Sequence, residues 1–343
     1  MKPLEHESRP AAMAAVRPGT AAERGRRLRW AGWLAGLVLI YLVPTLLGPG
    51  NYLQYTADQV AIFALVAIGL NLLVGYNGQI SIGHSAFVAV GAYTSVLLQL
   101  HAHVPFWLAV PIGGVAAGLL GLLVGFPAVR LRGHYLAVMT LGLVAALPEV
   151  LVSWTSVTNG WTGLTSPTPT LFGIPVGSNA AMYYVIVTVL IVMTWLAANI
   201  LRSRSGRAMM AVRDSQHAAL AMGINVNYVK TLTFALSALY AGVAGGLFAA
   251  QVGFINPNNF DVSQSFLYLV MIVVGGLASL PGSIIGAAIF VVLQPLTSSL
   301  QGLQQVIIGI IMVVMILFAP QGLMQLRQAI VRIVRRRTRA TTA

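Results

Sequence analysis

Apolar residues run along this chain in long, nearly uninterrupted stretches separated by short polar segments. Strands of a membrane barrel would alternate apolar and polar residues over about ten positions, so continuous runs predict helices. Ten such runs stand out: Trp30–Leu47, Ala57–Gly75, Ser81–Leu98, Phe106–Phe126, Tyr135–Leu147, Ala180–Leu201, Thr231–Val252, Ser265–Leu280, Ser283–Leu296 and Gln305–Ala319. The fifth is short unless it continues past Pro148 and Glu149, and the ninth is short as well. Short or glycine- and proline-interrupted apolar segments are how broken helices look in transporters.

Composition turns these runs into membrane spans. The chain is 57% hydrophobic and only 8% charged, against roughly 25% charged in a soluble domain. The expected fold class is an all-α polytopic membrane protein of about ten transmembrane helices, some short or broken. Thirty-five glycines fit such a bundle. Gly32–Gly36, Gly114–Gly118, Gly242–Gly246 and Gly282–Gly286 have the small-xxx-small spacing, read here as packing within the chain.

The net charge of +13 follows the positive-inside rule rather than a nucleic-acid footprint. Seven Lys/Arg precede Trp30 and six run from Arg327 to Arg339. The others, Arg130, Arg132, Arg202, Arg204, Arg207, Arg213 and Lys230, all fall in loops on the tails' side of a ten-span chain. Both tails are therefore expected in the cytosol. Residues 1–29 read as a disordered cytosolic tail, 30–320 as the transmembrane domain with a cytosolic loop at 202–230, and 321–343 as a basic cytosolic tail. A cleaved signal peptide is the rival for the start, but Trp30–Leu47 is long for one and no A-x-A-like site follows. Asp58, Glu149 and Asp261 sit in or beside outer loops, as hydrated interfacial carboxylates or as part of a docking surface.

Several chemistries are excluded or disfavoured. No G-x-x-x-x-G-K-[ST] phosphate loop is present, because Val229 precedes Lys230 where glycine is needed, so any ATP would be bound by other subunits. The span interiors lack the ionisable relay of many ion-coupled carriers. There is no cysteine, and His101 and His103 read as loop histidines, so no metal or other cofactor site is expected. No Ser/His/Asp arrangement suggests an enzyme.

Three segments carry the functional signal. In NLLVGYNGQISIGHSAFVAVGAY (71–93), Asn71, Asn77, Gln79, Ser81, His84 and Ser85 mix with glycines. So many polar groups among apolar runs suggest a helix break lining a protected path, or a re-entrant turn held by structural hydrogen bonds. A helix restarting near Ser81 would offer N–H groups to a carboxylate. The basic segment 202–230 contains alanines that favour a short helix and Gly223 to end it, suited to a groove on a cytosolic partner or to anionic lipid. In MIVVGGLASLPGSIIGAAIF from Met271, Gly275-Gly276 and Pro281-Gly282 separate two short apolar runs, predicting a tight helical hairpin or a broken helix.

At these residues the sequence resembles the permease subunits of branched-chain amino acid ABC importers, of the LivM type. The resemblance runs from about Gln59 to Leu323, on NGQISIGHSAFVAVGAY (77–93), LRGHYLAVMTLG (131–142), NGWTGL (159–164), GRAMMAVRDSQHAALAMGINV (206–226), SALYAGVAGGLFA (237–249), VVGGLASLPGSIIGAA (273–288) and APQGL (319–323). It implies a multi-pass protein of the bacterial cytoplasmic (inner) membrane that is not itself an enzyme. It implies as partners two cytosolic ABC ATPase subunits, a second homologous permease and a periplasmic solute-binding protein, with the bilayer as solvent and no nucleic acid. The coupling element would comprise Gly206, Arg207, Arg213, Asp214, His217, Ala218, Ala219 and Gly223. Here HAALAMG (217–223) stands for the E-A-A-x-x-x-G motif, with His217 in the glutamate's place. Glu149, Trp161 and Asp261 are the candidates for docking the binding protein. An uncharged path suits a zwitterion with an apolar side chain; urea or a short amide is the alternative cargo, and an ion-coupled amino acid carrier the rival mechanism.

Overall fold

The computed structural model describes residues 52–128, 134–171, 174–175, 179–298, 306 and 309–310. The expected spans at Trp30–Leu47 and across most of Gln305–Ala319, both tails, Arg130 and Arg132 lie outside the described residues, and with them the count of ten and the sidedness of the ends.

The described chain is helical almost throughout. α1 covers Tyr52–Asn71 and runs into a π-helical turn, Leu72–Tyr76. α2 covers His84–His101, α3 Phe106–Ala128, α4 His134–Ser153 and the single turn α5 Thr155–Thr158. α6 spans Asn179–Arg202, α7 Arg204–Asp214, α8 Gln216–Ala221 and α9 Val226–Val252. α10 spans Val262–Gly275 and α11 Leu280–Ser298. Five of the apolar segments, Tyr52–Tyr76, Phe106–Pro127, Tyr135–Ser153, Ala180–Arg202 and Val226–Val252, are long and apolar enough to cross a bilayer. The fifth expected span does continue through Pro148, which sits inside α4.

α1 and α9 form the centre. Their apolar windows are 83% and 78% buried, against 22% for α4 and α6, whose outward faces are left for lipid. Neither central helix shows a strong amphipathic stripe, because a helix covered on all sides is apolar all round. The described small-xxx-small pairs bring helices of this one chain together, as expected, while Gly32–Gly36 lies outside the described residues. A methyl group at Gly91 of α2 would strike the backbone of Gly242 in α9, and one at Gly114 of α3 would strike Val243. Ser95 of α2 donates to the Ala109 carbonyl of α3 at 3.1 Å, a hydrogen bond within the apolar layer.

The segment after Met271 is a hairpin. Gly275 meets Gly282 while Met271 meets Gly286, so the two helices pack antiparallel. α10 has 14 residues and rises only about 21 Å, less than the roughly 30 Å of a hydrocarbon core. The link 276–279 therefore turns within the bundle rather than in a free loop. Gly276 at φ 120° and Ala278 at φ 57° make that turn. The left-handed region costs a non-glycine residue roughly 1 kcal/mol or more, so Ala278 has to be held there by its surroundings.

At the opposite end, Leu164–Thr165 (β1) pairs antiparallel with Phe254–Ile255 (β4), tying the loop after α4 to the loop after α9. Between them in sequence, Thr170–Leu171 (β2) pairs with Ile174–Pro175 (β3). Every described Lys and Arg lies on the last turn of α6, on α7 or near the start of α9. Glu149 and Asp261 lie at the β1–β4 end.

Candidate functional site

The break expected in 71–93 is present, and it starts lower and resumes later than the sequence suggested. α1 widens into the π-helical turn at Leu72–Tyr76, the chain is irregular through 77–83, and α2 begins at His84 rather than near Ser81. Single π-turns leave backbone groups out of the regular ladder and recur at functional sites.

Asn71 sits just before that turn and is fully buried. Its Nδ2 approaches the Gly276 carbonyl at 3.3 Å, the Ser279 carbonyl at 3.0 Å and Ser283 Oγ at 2.8 Å. Its Oδ1 accepts the Ala278 N–H at 2.9 Å. One amide side chain thus supplies what the elbow between α10 and α11 lacks, including the hold on left-handed Ala278. Gly75 must lack a side chain for this, since a Cβ there would overlap Asn71 Oδ1 and approach Ala278 N at 2.5 Å.

The same turn is gripped from the cationic end. Arg213, in the last turn of α7, donates from Nη1 to the Gly75 carbonyl at 2.5 Å. Its stem packs on Gly78, which takes φ 71°. Gln79 Nε2 donates to the Lys230 carbonyl at 3.1 Å, and Lys230 Nζ donates to Gln216 Oε1 of α8 at 3.1 Å. α7 and α8 are therefore fastened to the break at two points, and the break is fastened to the hairpin by Asn71.

His84, 1% exposed, sits in a hydrogen-bonded chain whose direction is fixed by counting hydrogens. Ser237 Oγ gives its single hydrogen to the Gly69 carbonyl at 2.5 Å. The 2.7 Å contact between His84 Nε2 and Ser237 Oγ must then be donated by the imidazole. Nδ1 is left as the acceptor for Ser81 Oγ at 3.4 Å. The first turn of α2 is likewise engaged. Ser85 N–H donates to Ser265 Oγ at 2.9 Å and Ser85 Oγ donates to the Asp261 carbonyl at 2.8 Å.

The six residues expected along a path thus fall into linked but separate clusters. Asn71 serves the hairpin, Gln79 the start of α9, Ser81 with His84 the α1–α9 contact, and Ser85 the start of α10. Asn77 differs. It is 2% exposed, and among the described residues neither amide atom has a hydrogen-bond partner. Sequence reading missed Thr140, Ser237, Ser265 and Ser283, which complete these clusters; Thr140 Oγ1 accepts the Ile82 N–H at 3.0 Å. Hydroxyls inside apolar runs were the available signal, since each has to find a partner away from water.

The segment 202–230 contains two helices, α7 and α8, where the sequence predicts one short helix ended by Gly223. α7 turns tightly off α6 at Gly206, where a Cβ would overlap the Leu201 backbone, and Arg207 Nη1 donates to the Arg202 carbonyl at 3.1 Å. Ser215 caps α8 by accepting the Ala218 N–H at 3.2 Å, and Gly223 ends it at φ 79°. Asp214, His217 and Ala218 are exposed, Ala219 is buried, and Leu220, Met222 and Tyr228 present apolar surface at 57%, 82% and 65% exposure.

At the other end, Glu149 and Trp161 are exposed. Asp261 Oδ1 accepts the Gln264 N–H at 2.9 Å and so caps α10. Asp58, expected at a hydrated interface, is instead 3% exposed in α1, with Oδ1 lacking a hydrogen-bond partner among the described residues. A cavity of about 380 Å³ opens between α1, α9, α10, α11 and the 3₁₀ turn Pro257–Phe260, and Asp58 is not among the residues that line it. None of the six expected path residues lines it.

A family described as the permease component of branched-chain amino acid transport systems matches residues 52–319. The chain is 34% identical over 292 residues to the high-affinity branched-chain amino acid transport permease LivM of Escherichia coli K12, covering 78% of this chain and 69% of that protein. It is 28% identical over 280 residues to LivH of Salmonella typhimurium (76% and 91% covered), and 28% identical over 279 residues to the autoinducer 2 import permease LsrC of Escherichia coli O9:H4 (75% and 74% covered). No solved structure matches. A break and a hairpin locked to an exposed helix pair, on a chain matched over most of its length, make this a multi-pass membrane protein that belongs to the permease-component family of branched-chain amino acid transport systems.

Proposed function

We propose that this chain is one membrane-spanning subunit of an ATP-driven importer for branched-chain amino acids in the bacterial cytoplasmic membrane. Two ATPase subunits engage α7 and α8 from the cytosol, and a second, similar permease completes the pathway. A solute-binding protein delivers cargo to the opposite end, where Glu149, Trp161 and Asp261 contribute to its seat. The observation that carries this reading is the Arg213–Gly75 bond, which joins an exposed cytosolic helix pair to the break in α1.

The linkage suggests how force travels. The exposed apolar side chains Leu220, Met222 and Tyr228 fit a groove on a partner better than water. When the ATPases close, α7 and α8 move with them. Arg213 and the Gln216–Lys230–Gln79 series then displace the π-turn and the 77–83 stretch, and Asn71 passes the displacement to the hairpin. The unpartnered Asn77 lies where the path crosses this moving stretch, and its amide is available to a polar solute in transit. Coupling of this kind is a population shift between two arrangements, biased by a partner that prefers one.

Reconstitution tests the proposal. Vesicles containing the full assembly of permeases, ATPases and binding protein are expected to accumulate labelled leucine only with ATP, and labelled urea much less. Uptake by this chain in the absence of any ATPase would reject the importer reading, and preferential urea uptake would reject the cargo.

A further inference from the structure

The cavity at the β1–β4 end is not part of the break, and its lining points to one kind of ligand. Six aromatic rings contribute: Tyr52, Tyr55 and Phe63 from α1, Phe248 from α9, Phe260 from the 3₁₀ turn and Tyr268 from α10. Phe63 and Tyr268 meet edge to face at 5.6 Å, and Phe248 and Phe260 at 6.1 Å, so these rings are set by their own packing before any ligand arrives. Among the described residues, the lining holds one carboxylate, Asp261, and no lysine, arginine or histidine. Aromatic rings and a carboxylate lining one cavity, with no cation among the described lining residues, favour a positive charge. Asp261 uses Oδ1 to cap α10, which leaves further acceptor capacity on the carboxylate.

The rest of the lining fits the other parts of a small zwitterion. Val252 and Val291 offer aliphatic surface. Gln59 Nε2 donates to Tyr55 Oη at 3.1 Å, which leaves the phenol hydrogen free to donate to a carboxylate. A volume of about 380 Å³ falls at the lower end of the roughly 300–1,000 Å³ of small-molecule pockets. It holds one small solute with a few waters rather than a peptide segment.

We propose that this cavity is the receiving site for the cargo at the outer end of the permease, and that it binds the solute by its ammonium group, held by Asp261 and the surrounding rings. The assignment rests on the amino acid importer reading and deepens it, because a site selecting an ammonium separates an amino acid from urea. Cargo released by a binding protein would dwell here before it reaches the break.

The test uses the importer assembly in nanodiscs without its binding protein, so that binding by the membrane subunits is read directly. Tritiated leucine is expected to bind, isoamylamine (ammonium, no carboxylate) to compete, and 4-methylpentanoate (carboxylate, no ammonium) to compete poorly. Asp261→Asn keeps an N-cap residue but removes the charge, and should raise the leucine Kd about tenfold and abolish the preference for isoamylamine. Gln59→Leu, away from the cap, should weaken leucine several-fold. Leucine affinity within twofold of wild type in both variants, stronger competition by 4-methylpentanoate, or no leucine binding to the wild-type assembly would each overturn the assignment. ATP-driven leucine uptake in vesicles, measured in parallel with the binding protein present, reports on the importer reading separately.

Discussion

Replacing Asn71 by alanine should cost about 3 kcal/mol of stability, and the figure follows from counting hydrogens. Nδ2 carries two, so of its three neighbours, the Gly276 carbonyl, the Ser279 carbonyl and Ser283 Oγ, two are served well at once. Oδ1 adds the bond from Ala278 N–H. Three bonds at about 1 kcal/mol each give about 3 kcal/mol, before any penalty for the carbonyls and the amide left unpartnered. Membrane cycles average about 0.6 kcal/mol per side-chain bond, which sets a floor near 2 kcal/mol. A loss of 3 kcal/mol is a change of about a hundredfold in the folding equilibrium. Reversible unfolding in bicelles on titration with detergent measures it. Ser283→Ala, which removes one of the Asn71 contacts, should cost about 1 kcal/mol, and the double mutant should fall short of the sum by about 1 kcal/mol because the two residues share a bond. Additivity within about 0.3 kcal/mol, or a cost for Asn71→Ala below about 0.5 kcal/mol, would refute the claim that this one amide holds the elbow.

Arg213→Ala should leave the assembly intact but cut ATP-dependent leucine uptake at least several-fold while ATP hydrolysis continues, because the guanidinium-to-carbonyl link to Gly75 is lost; the ratio of uptake to phosphate release measures it. Gly75→Ala should abolish stable expression, since the new methyl overlaps Asn71 Oδ1 and lies 2.5 Å from Ala278 N, and size-exclusion chromatography of the purified protein reports it. Ala218→Pro removes the N–H that Ser215 Oγ accepts and should uncouple transport as Arg213→Ala does, whereas Ser215→Asp preserves a capping oxygen and should transport normally. Gly91→Val should destabilise the α2–α9 contact, where even one methyl strikes the backbone of Gly242, and lower the thermal midpoint without altering the uptake-to-hydrolysis ratio of the protein that folds.

Much of the fold was legible because bilayer spans are written in length and apolarity. Each of the eight expected spans that fall on described residues corresponds to a helix, with ends shifted by a few residues. α9 begins at Val226 rather than Thr231 because Asn225 caps it, accepting the Tyr228 N–H at 3.0 Å, a polar start signal upstream of the apolar run. The pattern around Met271 left a hairpin and a broken helix open. The structure selects the hairpin through the close approach of Gly275 to Gly282, a contact between residues that sequence spacing alone cannot pair.

The partners of polar residues were not legible, for a related reason. Composition says that Asn71, Gln79, His84 and Ser85 have to be satisfied away from water. Only tertiary structure says that they are satisfied by Ser279, Lys230, Ser237 and Ser265, residues 151 to 208 positions away. The sequence left this polar cluster open between a path lining and a turn held by structural hydrogen bonds, and most of its atoms act as clips between helices. That result sharpens the functional argument instead of weakening it. Clips fastened at a π-turn, an irregular stretch and a short elbow transmit displacement, because packed helices on either side move as rigid bodies. A path lined by the same atoms would need them free for solute. Asn77 is the member of the set that has both amide atoms without partners, so solute recognition at the break should be sought there and transmission at the rest.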